Sequence, residues 1–326
     1  MALTSILVMR HLKVFFSLFF LLLPSLGLAA TRAPSAASSA MPAPGATFTV
    51  GTLRVQQYGD HGRALILIPG LSSGSWAWQG TIQHFRKGHV IYVLTLAGFD
   101  GMPAPQRKTG LMDQADASLL QLIRTRHIDK PVLVGHSLGG TLAIRFAEEH
   151  TGLLSGVVAV DGLPVFPLMS VSQREASAQQ MRSMIGHVSA QEFEAQQLRF
   201  MQTIGLVDPD RARHYAALSA DSDPDVMYEY AAEDMELDLR PQLKNITVPL
   251  LEITPYYKPD FERYSQLNNR PLTTPAQKAD YYRKLLDGAP HAKVITMTGA
   301  RHFVMLDQPQ AFYSALENFL AGLPKR

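Results

Sequence analysis

A serine lies in residues 131–145, PVLVGHSLGGTLAIR, where its setting equips it for chemistry. Pro131 to Val134 is a short apolar run of the kind that fills a parallel strand covered on both faces. Gly135-His136-Ser137-Leu138-Gly139 then fits G-x-S-x-G, and Gly140 to Phe146 is mostly small or apolar, suited to a helix seated on a sheet. A turn that tight brings strand and helix backbones together, so the positions two before and two after the serine must lack bulk. Ser137 is left at the tip in a strained conformation, at the start of a helix whose dipole favours developing negative charge. A nucleophile requires that placement. The stretch contains neither G-x-G-x-x-G nor Gly-Lys-Ser/Thr, so it fits neither a dinucleotide nor a phosphate loop.

A serine nucleophile needs a base, and the base an orienting carboxylate. In an open α/β sheet the site lies at the carboxyl ends of the strands, so each candidate is judged by its strand end. His302 follows the apolar run Ala292 to Met297, at the right end, whereas His291 precedes that run and belongs at the opposite pole. His150, His187 and His214 fall at a helix end or in the middle of the chain, and His136 is expected to turn its side chain away from Ser137. Two carboxylates compete: Asp161 directly ends the strand Gly156 to Val160, and Asp260 follows the strand Pro249 to Thr254. Glu252 lies inside a strand and is a poor choice.

The elements that must position these groups are legible in hydrophobic spacing. Thr47 to Tyr58 alternates like one or two edge strands, and Ala64 to Ile68 and Val90 to Leu96 read as buried strands. Asp113 to His127 repeats Leu119, Leu120, Leu122 and Ile123 at helical spacing. The 85 residues from Leu163 to Thr247 far exceed an ordinary connection of about five and must hold structure of their own. Ser189 with Glu192 forms a capping-box pattern, and Asp208-Pro209 and Asp223-Pro224 are helix starts. Met181, Met184, Ile185 and Val188 are expected on one helical face. A helix from Thr274-Pro275, the strand Ala292 to Met297 and a last helix after Asp307 complete the chain. The expected fold is α/β, a mostly parallel doubly wound sheet with an inserted helical cap. Its core would comprise residues 47–162 and 248–326, and its cap residues 163–247.

With the elbow, the order of elements and His302 in view, the chain resembles the α/β-hydrolase superfamily from about Thr47 to Leu320, with an inserted middle. The resemblance implies the order nucleophile, acid, base, hence Ser137, then Asp260 at the usual position, then His302. Asp161 is the alternative acid, at a site some relatives use. It also implies an oxyanion hole from the backbone N–H groups of Leu71 and Leu138. Pro69-Gly70 stands where the family has His-Gly, a departure that bears on the loop's shape. No cofactor or metal is implied.

Composition narrows the partners. The formal net charge is +2, yet residues 1–30 hold two basic residues and no acidic ones, leaving 28 of each sign. A neutral remainder offers no electrostatic case for nucleic acid or anionic membrane. Arg10, His11 and Lys13 before the apolar run Val14 to Leu23, with Gly27-Leu28-Ala29-Ala30 beyond it, read as a signal peptide over residues 1–30. Export to a periplasm or the exterior is therefore expected, with no stable membrane span after cleavage, the alternative being an anchor formed by an uncleaved N-terminal segment. Residues 31–46 read as a flexible Ala/Pro/Ser linker. The chain has no cysteine, which excludes disulfides and thiolate chemistry.

The expected activity is that of a serine hydrolase acting on a carboxylic ester, with amide, lactone or thioester open, through an acyl-enzyme. Its substrate would be a small, partly apolar acyl compound. Two other readings are a non-catalytic small-ligand binder of the same fold and a cofactor-free haloperoxidase or perhydrolase.

Overall fold

The computed structural model describes residues 42–268 and 272–324. In chain order the elements are β1 (Ala46–Val50), β2 (Leu53–Tyr58), β3 (Arg63–Ile68), α1 (Gln79–Phe85), β4 (His89–Leu96), α2 (Leu111–Thr125), β5 (Val132–His136), α3 (Leu138–His150) and β6 (Gly156–Val160). There follow α4 (Val171–Ser183), α5 (Ala190–Phe200), α6 (Pro209–Ser219), α7 (Pro224–Glu236), β7 (Leu250–Tyr256), α8 (Lys258–Asn268), α9 (Pro275–Leu285), β8 (Ala292–Thr298), α10 (Val304–Asp307) and α11 (Pro309–Ala321). The expected signal peptide and most of the expected linker lie outside the described residues. β1 begins one residue inside the expected linker.

The eight strands form one sheet in the order β1-β2-β4-β3-β5-β6-β7-β8. β1 and β2 pair antiparallel, as do β2 and β4, and the pairs from β3 to β8 are parallel. The central strands β5, β6 and β7 are buried along their whole length, which is why they read as unbroken apolar runs. β2 alternates because one of its faces is less covered. The doubly wound α/β expectation is thus met.

The run between β6 and β7 is helical. Ser189 and Glu192 close a capping box, and Asp208 and Asp223 cap α6 and α7 ahead of first-turn prolines. The expected single face through Val188 does not form. α4 stops at Ser183, Gly186 takes φ +76°, and Ser189 starts a new helix, so Ile185 and Val188 fall in the turn. This insertion is stitched to the loops at the strand ends. Asp223 N donates to Gly98 O at 2.6 Å and Gly101 N to Asp221 O at 2.7 Å, while the Glu233 carboxylate accepts from Leu111 N and Met112 N at 2.8 Å each. That carboxylate satisfies the free amides and dipole at the start of α2, a job no side chain of its own cap performs. Among the described residues no helix is long and apolar enough to cross a membrane.

Candidate active site

The elbow is tight in fact. A Cβ at position 135 would lie 2.0 Å from Gly139 O, and one at position 139 would lie 2.3 Å from Ile68 O. Between them Ser137 adopts φ +53°, ψ −123°, a conformation that costs a non-glycine residue about 1–3 kcal/mol. The surroundings hold it there. Ser137 N donates to Val160 O at 2.9 Å, and Ser137 O accepts from Gly140 N and Thr141 N at 2.8 and 3.0 Å. The first bond extends the β5–β6 register, in which His136 faces Val160, so Asp161 arrives beside Ser137.

His302 reaches the same end of the sheet from the loop after β8. Its ring lies 4.6 Å from that of His136, the neighbour of Ser137, and its Nδ1 is 2.6 Å from Asp161 Oδ2. The expectation that Asp260 would partner this imidazole is corrected. Asp260 is engaged by Arg301, whose Nε donates to Oδ2 at 2.7 Å and Nη2 to Oδ1 at 2.9 Å. The cause lies in β7, which runs on to Tyr256, two residues past its expected end, and leads directly into α8. Asp260 is therefore carried into the first turn of that helix, while Asp161 stays at the strand end.

Asp161 is well enclosed, with 15% of its side chain exposed. Burial by itself would raise its pKa, but the Lys278 charge and the hydrogen bonds from His302 and Tyr282 outweigh that and hold it below the usual carboxylate range. Tyr282 donates its hydroxyl to Asp161 Oδ1 at 2.9 Å. With His302 on the other oxygen, both ends of the carboxylate are fixed.

His136 is fully buried, and that burial, with His302 beside it, pushes its pKa well below the ordinary histidine value. A neutral ring at this place donates from Nε2 to His302 O at 3.1 Å, so it steadies the backbone that carries His302. That loop is also tied to the insertion. His302 N donates to Ile204 O at 3.1 Å and Phe303 N to Gly205 O at 3.0 Å, both on the π-helical turn Met201–Gly205. Asp307 joins the two sides through Arg301 N at 2.9 Å and Val207 N at 3.2 Å. None of these seam contacts is written in local sequence. Lys278 and Tyr282 do carry a signal: they stand four apart on one helical face.

Leu138 is the first residue of α3, where an amide has no intrahelical partner. Among the described residues neither Leu138 N nor Leu71 N has a hydrogen-bond partner, so both remain available as donors. The Leu71 loop presses on the elbow, since a Cβ at Gly70 would sit 3.0 Å from Ser137 Cβ. Ser73 N to Gly70 O, 3.2 Å, and Ser73 Oγ to Leu71 O, 3.1 Å, hold its shape despite Pro69 in place of histidine. The buried Ser219 hydroxyl of α6 lies 2.9 Å from Ser72 O and 2.8 Å from Gln197 Oε1. Aromatic rings surround the position: Phe200 meets His302 edge-on at 5.8 Å, and Trp76 lies 5.3 Å from Tyr215 and 5.8 Å from Phe303. Among the described residues no group of three His, Asp or Glu side chains could hold a metal ion.

The fold and this arrangement belong to one class of protein. The profile of the Alpha/beta hydrolase family matches residues 65–315, and the chain belongs to that family. It is a hydrolase enzyme. It is 26% identical over 269 residues to the pimeloyl-[acyl-carrier protein] methyl ester esterase of Vibrio cholerae serotype O1, covering 81% of this chain and 96% of that one. It is 23% identical to the 2-(acetamidomethylene)succinate hydrolase of Mesorhizobium japonicum, covering 82% and 91%. Among solved structures, the enol-lactonase of Burkholderia xenovorans LB400 superposes with a TM-score of 0.66 at 18% identity, covering 85% of this chain and all of that one.

Proposed function

We propose that this hydrolase cleaves a carboxylic ester through an acyl-enzyme on Ser137, with His302 as base, Asp161 as acid and the amides of Leu71 and Leu138 as oxyanion donors. The observation that carries the reading is the 2.6 Å contact between His302 Nδ1 and Asp161, set beside a serine in a strained elbow. An imidazole that donates from Nδ1 keeps Nε2 as a lone pair, the form that takes a proton from a hydroxyl. His302 then removes the Ser137 proton as the oxygen attacks the ester carbonyl, and the two amides stabilise the charge on the tetrahedral intermediate. The imidazolium returns its proton to the leaving alkoxide, and water repeats the sequence on the acyl-enzyme. The aromatic surroundings of His302 and the ester and hydrolase activities of the two curated relatives support a small, partly apolar acyl substrate beneath a cap formed by the helical insertion.

A fluorophosphonate probe and a 4-nitrophenyl ester series of rising chain length test this. Labelling and turnover by the unaltered protein, both abolished in Ser137→Ala, are expected. Turnover that survives Ser137→Ala, or a protein that binds esters tightly without labelling, would overturn it.

A further inference from the structure

Against the ring of Tyr282, whose hydroxyl holds Asp161, lies a cation that no local pattern of the elbow requires. Lys278 projects from α9 and is 5% exposed. Its Nζ donates to Pro255 O at 2.5 Å and sits over two rings, 4.5 Å from the centre of Phe261 and 5.0 Å from that of Tyr282. Burial pulls the Lys278 pKa below its ordinary value and the Asp161 charge opposes that, while a backbone carbonyl and two ring faces are partners that favour an ammonium over a neutral amine. Among the described residues no carboxylate lies within ion-pair distance of that nitrogen, so its charge acts through space.

We propose that Lys278 is a positioning residue for the reaction, the counter-charge of Asp161 that leaves both carboxylate oxygens to His302 and Tyr282. The inference rests on the reading of Asp161 as the acid. A buried carboxylate whose two oxygens hold one imidazole and one phenol still lacks compensation for its charge. The groups that face it are few. His302 comes from the loop after β8, Tyr282 and Lys278 from α9, Glu252 from β7 and His136 from β5. Burial and the charge of Asp161 push the Glu252 carboxyl well above its ordinary range, which disfavours its anion, and burial likewise disfavours a charged His136. Lys278 is left as the one cation in that group to balance Asp161. Tyr282 stands four residues along the same helical face, so α9 brings both a hydrogen bond and, through Lys278, a charge to the carboxylate from one rigid element.

The pH dependence of kcat/KM on a 4-nitrophenyl ester reads this role. Without the ammonium the coupled Asp161–His302 pair takes up a proton at higher pH, so the acid limb in Lys278→Met moves up by about one pH unit. At a pH below both limbs the variant is then about tenfold slower than the unaltered protein. Lys278→Arg keeps the charge and holds the limb near its original place. A side chain that only filled space would lower activity uniformly with pH, and a limb in Lys278→Met that coincides with the original overturns the proposal. If Lys278→Met does not fold, Lys278→Gln makes the same charge change with a polar side chain that can still donate to Pro255 O, and the same two outcomes apply. Full turnover in Asp161→Asn would instead sink the assignment of the acid, whereas its loss together with an unmoved limb sinks only the role of Lys278.

Discussion

Arg301 grips Asp260 with two parallel hydrogen bonds of 2.7 and 2.9 Å, and its neighbour His302 is thereby left to Asp161. Adjacent residues on one loop thus take different carboxylates, one from the end of β6 and one from the first turn of α8. Asp161→Asn is expected to lower kcat by about 10³- to 10⁴-fold, because an amide favours the wrong imidazole tautomer and cannot balance the imidazolium. Asp260→Asn breaks an ion pair whose carboxylate is 38% exposed, a loss of about 1 kcal/mol or less with kcat little changed. Steady-state kinetics on both variants decide between them; a larger loss in the Asp260 variant would reverse the assignment.

Gly135→Ala should damage the elbow through sterics alone. The new methyl would overlap Gly139 O at 2.0 Å, and neither backbone can retreat because β5 is buried between β3 and β6. A loss of about 3 kcal/mol or more of unfolding free energy is expected by denaturant titration, with labelling of Ser137 reduced in parallel. An unchanged midpoint would mean that the turn is looser than its geometry indicates.

Asp234 on α7 gives the fold a pH dependence of its own. Burial pushes its carboxyl up to about 7, opposed in part by a hydrogen bond with Thr141. The folded chain therefore keeps a proton that the unfolded chain releases near pH 4, and stability falls as pH rises from about 4 through 7. Asp234→Asn removes that proton linkage and should stabilise the protein at pH 8 by up to about 4 kcal/mol relative to its effect at pH 4. Melting curves of both proteins at the two pH values check the sign; parallel shifts at both would refute it.

Ser219 and Gln197 link the helical insertion to the loop that offers the Leu71 amide. Ser219→Ala leaves Ser72 O and Gln197 Oε1 without that hydroxyl in a buried place, at about 1–3 kcal/mol. If that loop supplies an oxyanion donor, kcat should fall by roughly tenfold while KM changes little, since the interaction is made in the transition state. A raised KM with kcat unchanged would point to substrate binding instead.

Much of the architecture follows from short-range rules. The period of apolar residues separates buried strands from helices, Asp-Pro and Ser-x-x-Glu mark the helix starts at Asp208, Asp223 and Ser189, and glycines two either side of Ser137 betray a turn too tight for side chains. Each of these signals is confined to a few neighbouring residues, so one chain displays them unaided. The pole on which His302 sits is also legible, because strand direction alone decides it.

The partner of His302 is of another kind. Asp161 and Asp260 both follow strands at the same end of the sheet, and the family resemblance favours Asp260. The choice came from how far β7 runs, from Arg301 taking Asp260, and from Tyr282 and Lys278 arriving on α9 more than a hundred residues after Asp161. Hydrogen-bond geometry and buried charge balance depend on ångström distances between segments remote in the chain. Those distances exist only once the sheet has assembled.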